Sequence, residues 1–200
     1  MTRSLGRRQF IGLLLGSVLV PYGAMARAAV DPAETYVSRI ADEVMNLANS
    51  GQKGDGLRGR FSSLLNRYIS LRNIANYALG TYRSQLPAGK RDEFYRLVNN
   101  YAAALFVFYV NDFKGSELDI TKTTKQGKFT VIVSTIKGKG SSEPVRWRLT
   151  GGGGGYRVDD INIKGVWLTI AMKDRFTKVL KRSNGDFNAL FAELREANTW

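Results

Sequence analysis

Residues Tyr156–Phe176, YRVDDINIKGVWLTIAMKDRF, decide how the chain folds. They read as a last β-strand that turns at Gly165 and runs directly into a helix. Tyr156 and Val158 alternate, and so do Ile161 and Ile163, but the two sets are out of phase. A strand has a side-chain period of two, so one residue must be inserted to hold both sets on one face. Asp159-Asp160 is the expected place for that β-bulge, which bends the strand and curls the sheet. A helix laid into the concave face of a curled sheet encloses a pocket, and that pocket is the expected functional site.

Three strands precede this one, at about Glu117–Thr124, Lys128–Lys137 and Pro144–Thr150. The turns between them fall at Gln126-Gly127, Gly138–Ser142 and Gly151–Gly155, and connections this short imply an antiparallel meander. Val145, Trp147 and Leu149 face one way, while Arg146 and Arg148 face the other and are expected to point outward. Val131, Ile132, Val133 and Ile136 put apolar side chains on both faces of the second strand, as expected for a strand covered twice.

The N-terminal half reads as helical. Asp31-Pro32 supplies an N-cap and a proline at the first helical position, and Gly51 ends that helix. A second helix carries Leu57, Phe61, Leu64, Leu65 and Tyr68, and a short third carries Ile74, Ala75, Ala78 and Leu79 before Gly80. The longest starts at Pro87 and reaches Val110; its part from Tyr101 is apolar nearly all round and so should be covered on every side. After Gly165 a helix marked by Leu168, Phe176, Val179 and Leu180 ends at Asn184-Gly185, and Asp186 caps a last one. The organisation is therefore α+β: helices over 31–110, a curled antiparallel sheet of about four strands over 115–164, and C-terminal helices over 168–197.

Residues 1–28 read as an export signal, with a basic start, a short apolar run over Phe10–Val20 and Ala26-Arg27-Ala28 as an A-x-A cleavage site. Arg7-Arg8 followed by Gln9-Phe10-Ile11 is similar to a twin-arginine motif. The net charge is +13, and the four arginines of this acid-free segment account for part of it, leaving +9 on the remainder. Such a surface favours anionic partners.

The chain has no histidine and no cysteine, which removes histidine triads, thiol nucleophiles, Cys/His metal sites and disulfides. Neither a metal nor a cofactor is expected. The run Gly151–Gly155 lacks the Lys-Ser/Thr ending of a phosphate loop and joins two strands, so it reads as a hairpin. Asp159 and Asp160 are neighbours on a strand and cannot face each other unless the bulge redirects one. The aromatic residues follow the apolar stripes and the basic residues the opposite faces, which argues against nucleic acid as a partner.

Several pieces taken together resemble the MlaC-type periplasmic phospholipid carriers, also called toluene-tolerance proteins. They are Phe61–Tyr68 (FSSLLNRY), Ile74–Tyr82 (IANYALGTY), Glu93-Phe94 opening a helix that reaches Tyr109, Val145–Leu149 (VRWRL), Tyr156-Arg157-Val158-x-Asp160, and Gly165-Val166 followed by Arg175-Phe176. The resemblance spans roughly Asp31 to Leu194. It implies a curled sheet of the nuclear-transport-factor-2-like type, acyl chains held in an apolar cavity, and shuttling between an outer-membrane lipoprotein complex and an inner-membrane ABC transporter with an MCE-type ring. Arg83, Trp167 and the five-glycine turn depart from the family pattern, so a rigid lipid such as a hopanoid is an alternative cargo to a phospholipid.

The expected lipid-binding wall is Leu105, Phe108, Tyr109, Val131, Val133, Trp147, Leu149, Ile161, Ile163, Val166 and Trp167, with Tyr82 at the mouth. Two other functions use the same residues differently. One is an enzyme with Asp160 as base and Tyr109 or Tyr82 as its partner; the other is a basic adaptor for anionic surfaces. The export reading predicts that the mature chain from the periplasmic fraction begins within a residue or two of Ala29. An intact-mass measurement that finds Met1 retained there would overturn it.

Overall fold

The computed structural model describes residues 30–138, 141–152 and 155–197. The expected export signal, the middle of the second turn and part of the glycine run lie outside the described residues.

The elements run in the order α1 (Pro32–Asn49), α2 (Gly54–Tyr68), α3 (Leu71–Ala78), two 3-10 turns (Gly80–Gln85 and Ala88–Lys90), α4 (Arg91–Phe113), β1 (Glu117–Gln126), β2 (Phe129–Gly138), β3 (Ser141–Gly152), β4 (Gly155–Ile163), β5 (Val166–Trp167), α5 (Leu168–Arg182) and α6 (Phe187–Glu196). The five strands form one antiparallel sheet in sequential order. The sequence shows four of them; the fifth is two residues long and arises because Gly165, at φ +85°, folds Val166 back onto Ile163. The longest helix starts at Arg91, after a 3-10 turn, and runs three residues beyond Val110, to Phe113.

The bulge lies where the out-of-phase apolar pairs demand it. Val158 pairs with Leu149 and Asp160 with Arg148, so Asp159 is the inserted residue. Val158 and Ile161 consequently share the face of Leu149, Trp147 and Val145, together with Ile132. That face is the core side, and Leu149, Val158 and Ile132 are fully buried on it. A second bulge, at Thr121 in β1, left no trace in the sequence pattern.

Helices α1 and α2 contact the sheet, and α4 packs on α2. Phe61 stacks on Phe106 with ring centroids 3.8 Å apart, and Tyr36 joins Tyr68 to Tyr156 on β4. Farther along α4, Phe94 meets Phe176 of α5 and Phe191 of α6. Asp31 and Asp186 cap α1 and α6, each accepting a backbone N–H at 2.8 Å.

Two side chains of β4 close helix ends that their own caps leave open. The Arg157 guanidinium donates to the carbonyls of Arg67, Asn66 and Ile69, at 2.6, 3.2 and 2.7 Å, where α2 ends. The Asp160 carboxylate accepts from the Thr169 N–H at 3.1 Å and the Thr169 hydroxyl at 2.5 Å, where α5 begins without a side-chain cap of its own. The charges match the helix dipoles, a cation at a C-terminus and an anion at an N-terminus. Asp160→Ala therefore lowers stability by about 2–4 kcal/mol and Arg157→Ala by about 1–2 kcal/mol. Urea denaturation checks both, and a loss below about 0.5 kcal/mol for Asp160→Ala would contradict this assignment.

Candidate functional site

An open groove of about 540 Å³ runs between α4 and α5. Tyr101 and Leu105 line it from α4, and Leu168, Ala171, Met172 and Val179 from α5. Arg175, Lys178 and Arg182 with Asp174 and Glu193 form a charged rim. The α5 wall, Leu168 to Arg182, is about 21 Å long at the helical rise of 1.5 Å per residue. On α4, Tyr101, Leu105 and Tyr109 follow at i, i+4 and i+8, so the lining stripe continues past the groove. There it meets water: Phe108 is 59% exposed and Tyr109 49%, with their rings edge to face at 4.9 Å. The apolar end of α4 is thus not covered on every side, as its composition requires of a helix with no apolar partner missing.

Burial pushes the Tyr101 hydroxyl above its ordinary pKa, against the lowering effect of Arg175, whose guanidinium lies 5.2 Å from the Tyr101 ring. Tyr101 is therefore a neutral hydrogen-bonding wall.

A separate cleft of about 650 Å³ opens on the outer face of the sheet, against α3 and the first turn of α5. Phe129, Arg148, Thr150, Asp159, Asp160 and Trp167 contribute to its lining. Arg148, expected to point outward, is held there: its guanidinium lies 4.1 Å from the Trp167 ring, 5.2 Å from Phe129, and pairs with Asp160 at 3.7 Å. Arg146 does point outward and is exposed.

The expected site residues are spread over several places. Trp147 and Leu149 are buried on the core face, with Ile161 packed half-buried beside them. Leu105 lines the α4–α5 groove, and Phe108 and Tyr109 prolong its α4 side. Ile163 and Val166 pair across β4 and β5 and stay exposed. Val131 and Val133 pair with Arg148 and Arg146, so the register puts them on the outer face, away from Trp147. Trp167 walls the outer cleft. Tyr82 sits half-buried in its 3-10 turn by the α5–α6 connection, where a Cβ on Gly185 would lie 3.9 Å from its Cε1. Nor does Tyr82 or Tyr109 join Asp160: the tyrosine lining that cleft is Tyr77. The groove residues Met172 and Val179 were missed as lining, although their i, i+7 spacing from one face of α5 was available in the sequence.

Comparison with known proteins identifies the architecture. The family described as MlaC protein matches residues 38–196. The chain belongs to the MlaC family. Among solved structures it is similar to the phospholipid-binding protein from Ralstonia solanacearum, determined in complex with a phospholipid. That match has a TM-score of 0.69 at 19% identity and covers 84% of this chain and 97% of the other. It shows a shared α+β fold. No curated protein sequence matches the chain.

Within this MlaC fold, Trp167 and Arg148 should act as one unit. Each single truncation costs about 1 kcal/mol, and a double-mutant cycle gives a coupling of about 0.5–1 kcal/mol. Additive losses in Trp167→Ser, Arg148→Ala and the double variant would show that the stacking contributes nothing.

Proposed function

We propose that this protein is a soluble periplasmic phospholipid carrier that takes acyl chains through the α4–α5 groove. The observation that carries the reading is the apolar stripe from Tyr101 through Leu105 to the exposed Phe108 and Tyr109, facing the apolar flank of α5. Membership of the MlaC family and the phospholipid held by a protein of the same fold support it. So does the export-like pattern of residues 1–28.

The energetics make a carrier necessary and chemistry unnecessary. Each CH₂ exposed to water costs about 0.8 kcal/mol, so a free phospholipid does not cross an aqueous gap at a useful rate. A groove that matches the apolarity of a bilayer makes transfer nearly thermoneutral. Direction then comes from what the carrier docks against: an outer-membrane lipoprotein complex on one side and an ABC transporter with an MCE-type ring on the other. The basic surface left by the +9 balance suits acidic docking faces and headgroup phosphates.

In this reading the chains pass between α4 and α5 toward Ile161, Trp147 and Leu149. Phe108, Tyr109, Ile163 and Val166 form the outer lip. Tyr82, Val131, Val133 and Trp167 lie elsewhere and are left out of the wall. The protein is read as a binder and not an enzyme, because Asp160 is spent on capping α5, on the Ile161 N–H at 3.0 Å and on Arg148.

Leu105→Glu and Met172→Glu put a charge into the groove and should cut copurifying phospholipid about tenfold or more. Val133→Glu, on the outer face, should leave it unchanged. Mass spectrometry of organic extracts from periplasmic protein makes the measurement. Lipid loading that survives both groove substitutions, or its absence from the unaltered protein, overturns the proposal.

A further inference from the structure

The acyl-chain reading makes no use of the cleft on the outer face, whose charges are unevenly spent. Four charged residues line it, Lys128, Arg148, Asp159 and Asp160, and their formal charges cancel. Asp160 is fully engaged by Thr169, Ile161 and Arg148. Arg148 is engaged by that pairing and by the rings of Trp167 and Phe129. Asp159 is different. As the bulge residue it falls out of the strand's alternation and lines the cleft alongside its neighbour. Its Oδ2 is buried and has no hydrogen-bond partner among the described residues. A carboxylate short of donors is costly, and Asp159 is half-buried where it lines the cleft, so a cationic donor seated there would relieve that cost. Lys128 brings the complementary pole, an ammonium 5.1 Å from the Phe129 ring at the same cleft.

We propose that this cleft binds an ammonium–phosphate zwitterion of the phosphoethanolamine type, its ammonium on Asp159 and its phosphate on Lys128. The volume, about 650 Å³, is in the range of small-ligand sites. A simple anion fits worse, because two carboxylates share the walls. A metal ion also fits worse: among the described residues no group of three His, Cys, Asp or Glu could hold one, and Lys128 and Arg148 repel it. The zwitterion can come from a lipid headgroup or from a free small molecule. The cleft chemistry stands without the carrier reading; only the headgroup source rests on it.

The test uses the full mature chain with glycerophosphoethanolamine as soluble probe, titrated by amide and indole chemical shifts. Glycerophosphoglycerol and inorganic phosphate serve as comparators. The expected result is saturable binding with shifts centred on Lys128, Asp159 and the Trp167 indole. Both comparators should bind about tenfold more weakly, and Asp159→Asn should weaken the probe by about tenfold or more. A melting temperature of Asp159→Asn at or above that of the unaltered protein shows that the variant folds. No binding, equal binding of either comparator, or no effect of Asp159→Asn overturns the proposal.

Lipid extracts then assign the source. A lower share of phosphatidylethanolamine in Asp159→Asn, at unchanged total lipid, points to a headgroup. An unchanged composition alongside weakened probe binding points to a free zwitterion. If neither protein carries lipid, the carrier reading fails while the titration still decides the cleft.

Discussion

Arg157 and Asp160, three positions apart on β4, hold the two ends of the helical layer against the sheet. One supplies donors to the last carbonyls of α2, the other supplies acceptors to the first turn of α5. The inserted Asp159 between them lets a single strand do both, because it shifts the alternation and sends Asp160 to the outer face. Remove the insertion and Ile161 leaves the core, Asp160 loses Thr169, and α5 has no fixed starting point. The Tyr-Arg-Val-x-Asp stretch that carries the family resemblance thus has a structural reason for each of its charged members.

Because α5 is tethered at its first turn, its two sides serve different spaces. Leu168, Ala171 and Met172 look into the groove toward α4, whereas Trp167, Thr169 and Ile170 border the outer cleft. The core face behind is closed, with Leu149 and Val158 fully buried. Admitting a diacyl lipid therefore requires α4 and α5 to separate. The groove is where they already do so, and the charged rim of Arg175, Lys178 and Arg182 keeps that seam wet at its edge. Opening for a lipid then falls on this seam, with the sheet staying as it is.

Much of this was legible in the residues. The phase slip between Val158 and Ile161 fixed the bulge, and the i, i+3, i+4 stripes fixed the helices, because both signals are local and periodic. Long-range pairings left no such mark. Nothing in the sequence says that Arg148 is held in a cleft on the outer face, since its alternation with Trp147 marks only which face it takes, and stacking on Trp167 depends on a helix start fixed elsewhere. The double-sided apolar pattern of Val131 and Val133 showed that the outer face is partly covered, but not by what. Phe108 and Tyr109 read as cavity wall on a helix end apolar nearly all round; their exposure is set by which neighbours reach that end of α4, a tertiary fact. Of the expected wall, Leu105 lines the α4–α5 groove, Trp147, Leu149 and Ile161 lie on the core face, and Tyr82, Val131, Val133 and Trp167 lie away from both.

The claim that the α4–α5 seam opens for acyl chains is open to direct measurement, since the chain has no native cysteine to interfere with labelling. Spin labels at Asp112→Cys on α4 and Lys181→Cys on α5 report the separation of the two helices, and labels at Lys122→Cys and Arg146→Cys report the sheet. On phospholipid loading the first distance should lengthen by several ångströms while the second stays constant. An unchanged α4–α5 distance in a protein shown to hold lipid would mean that the chains enter elsewhere.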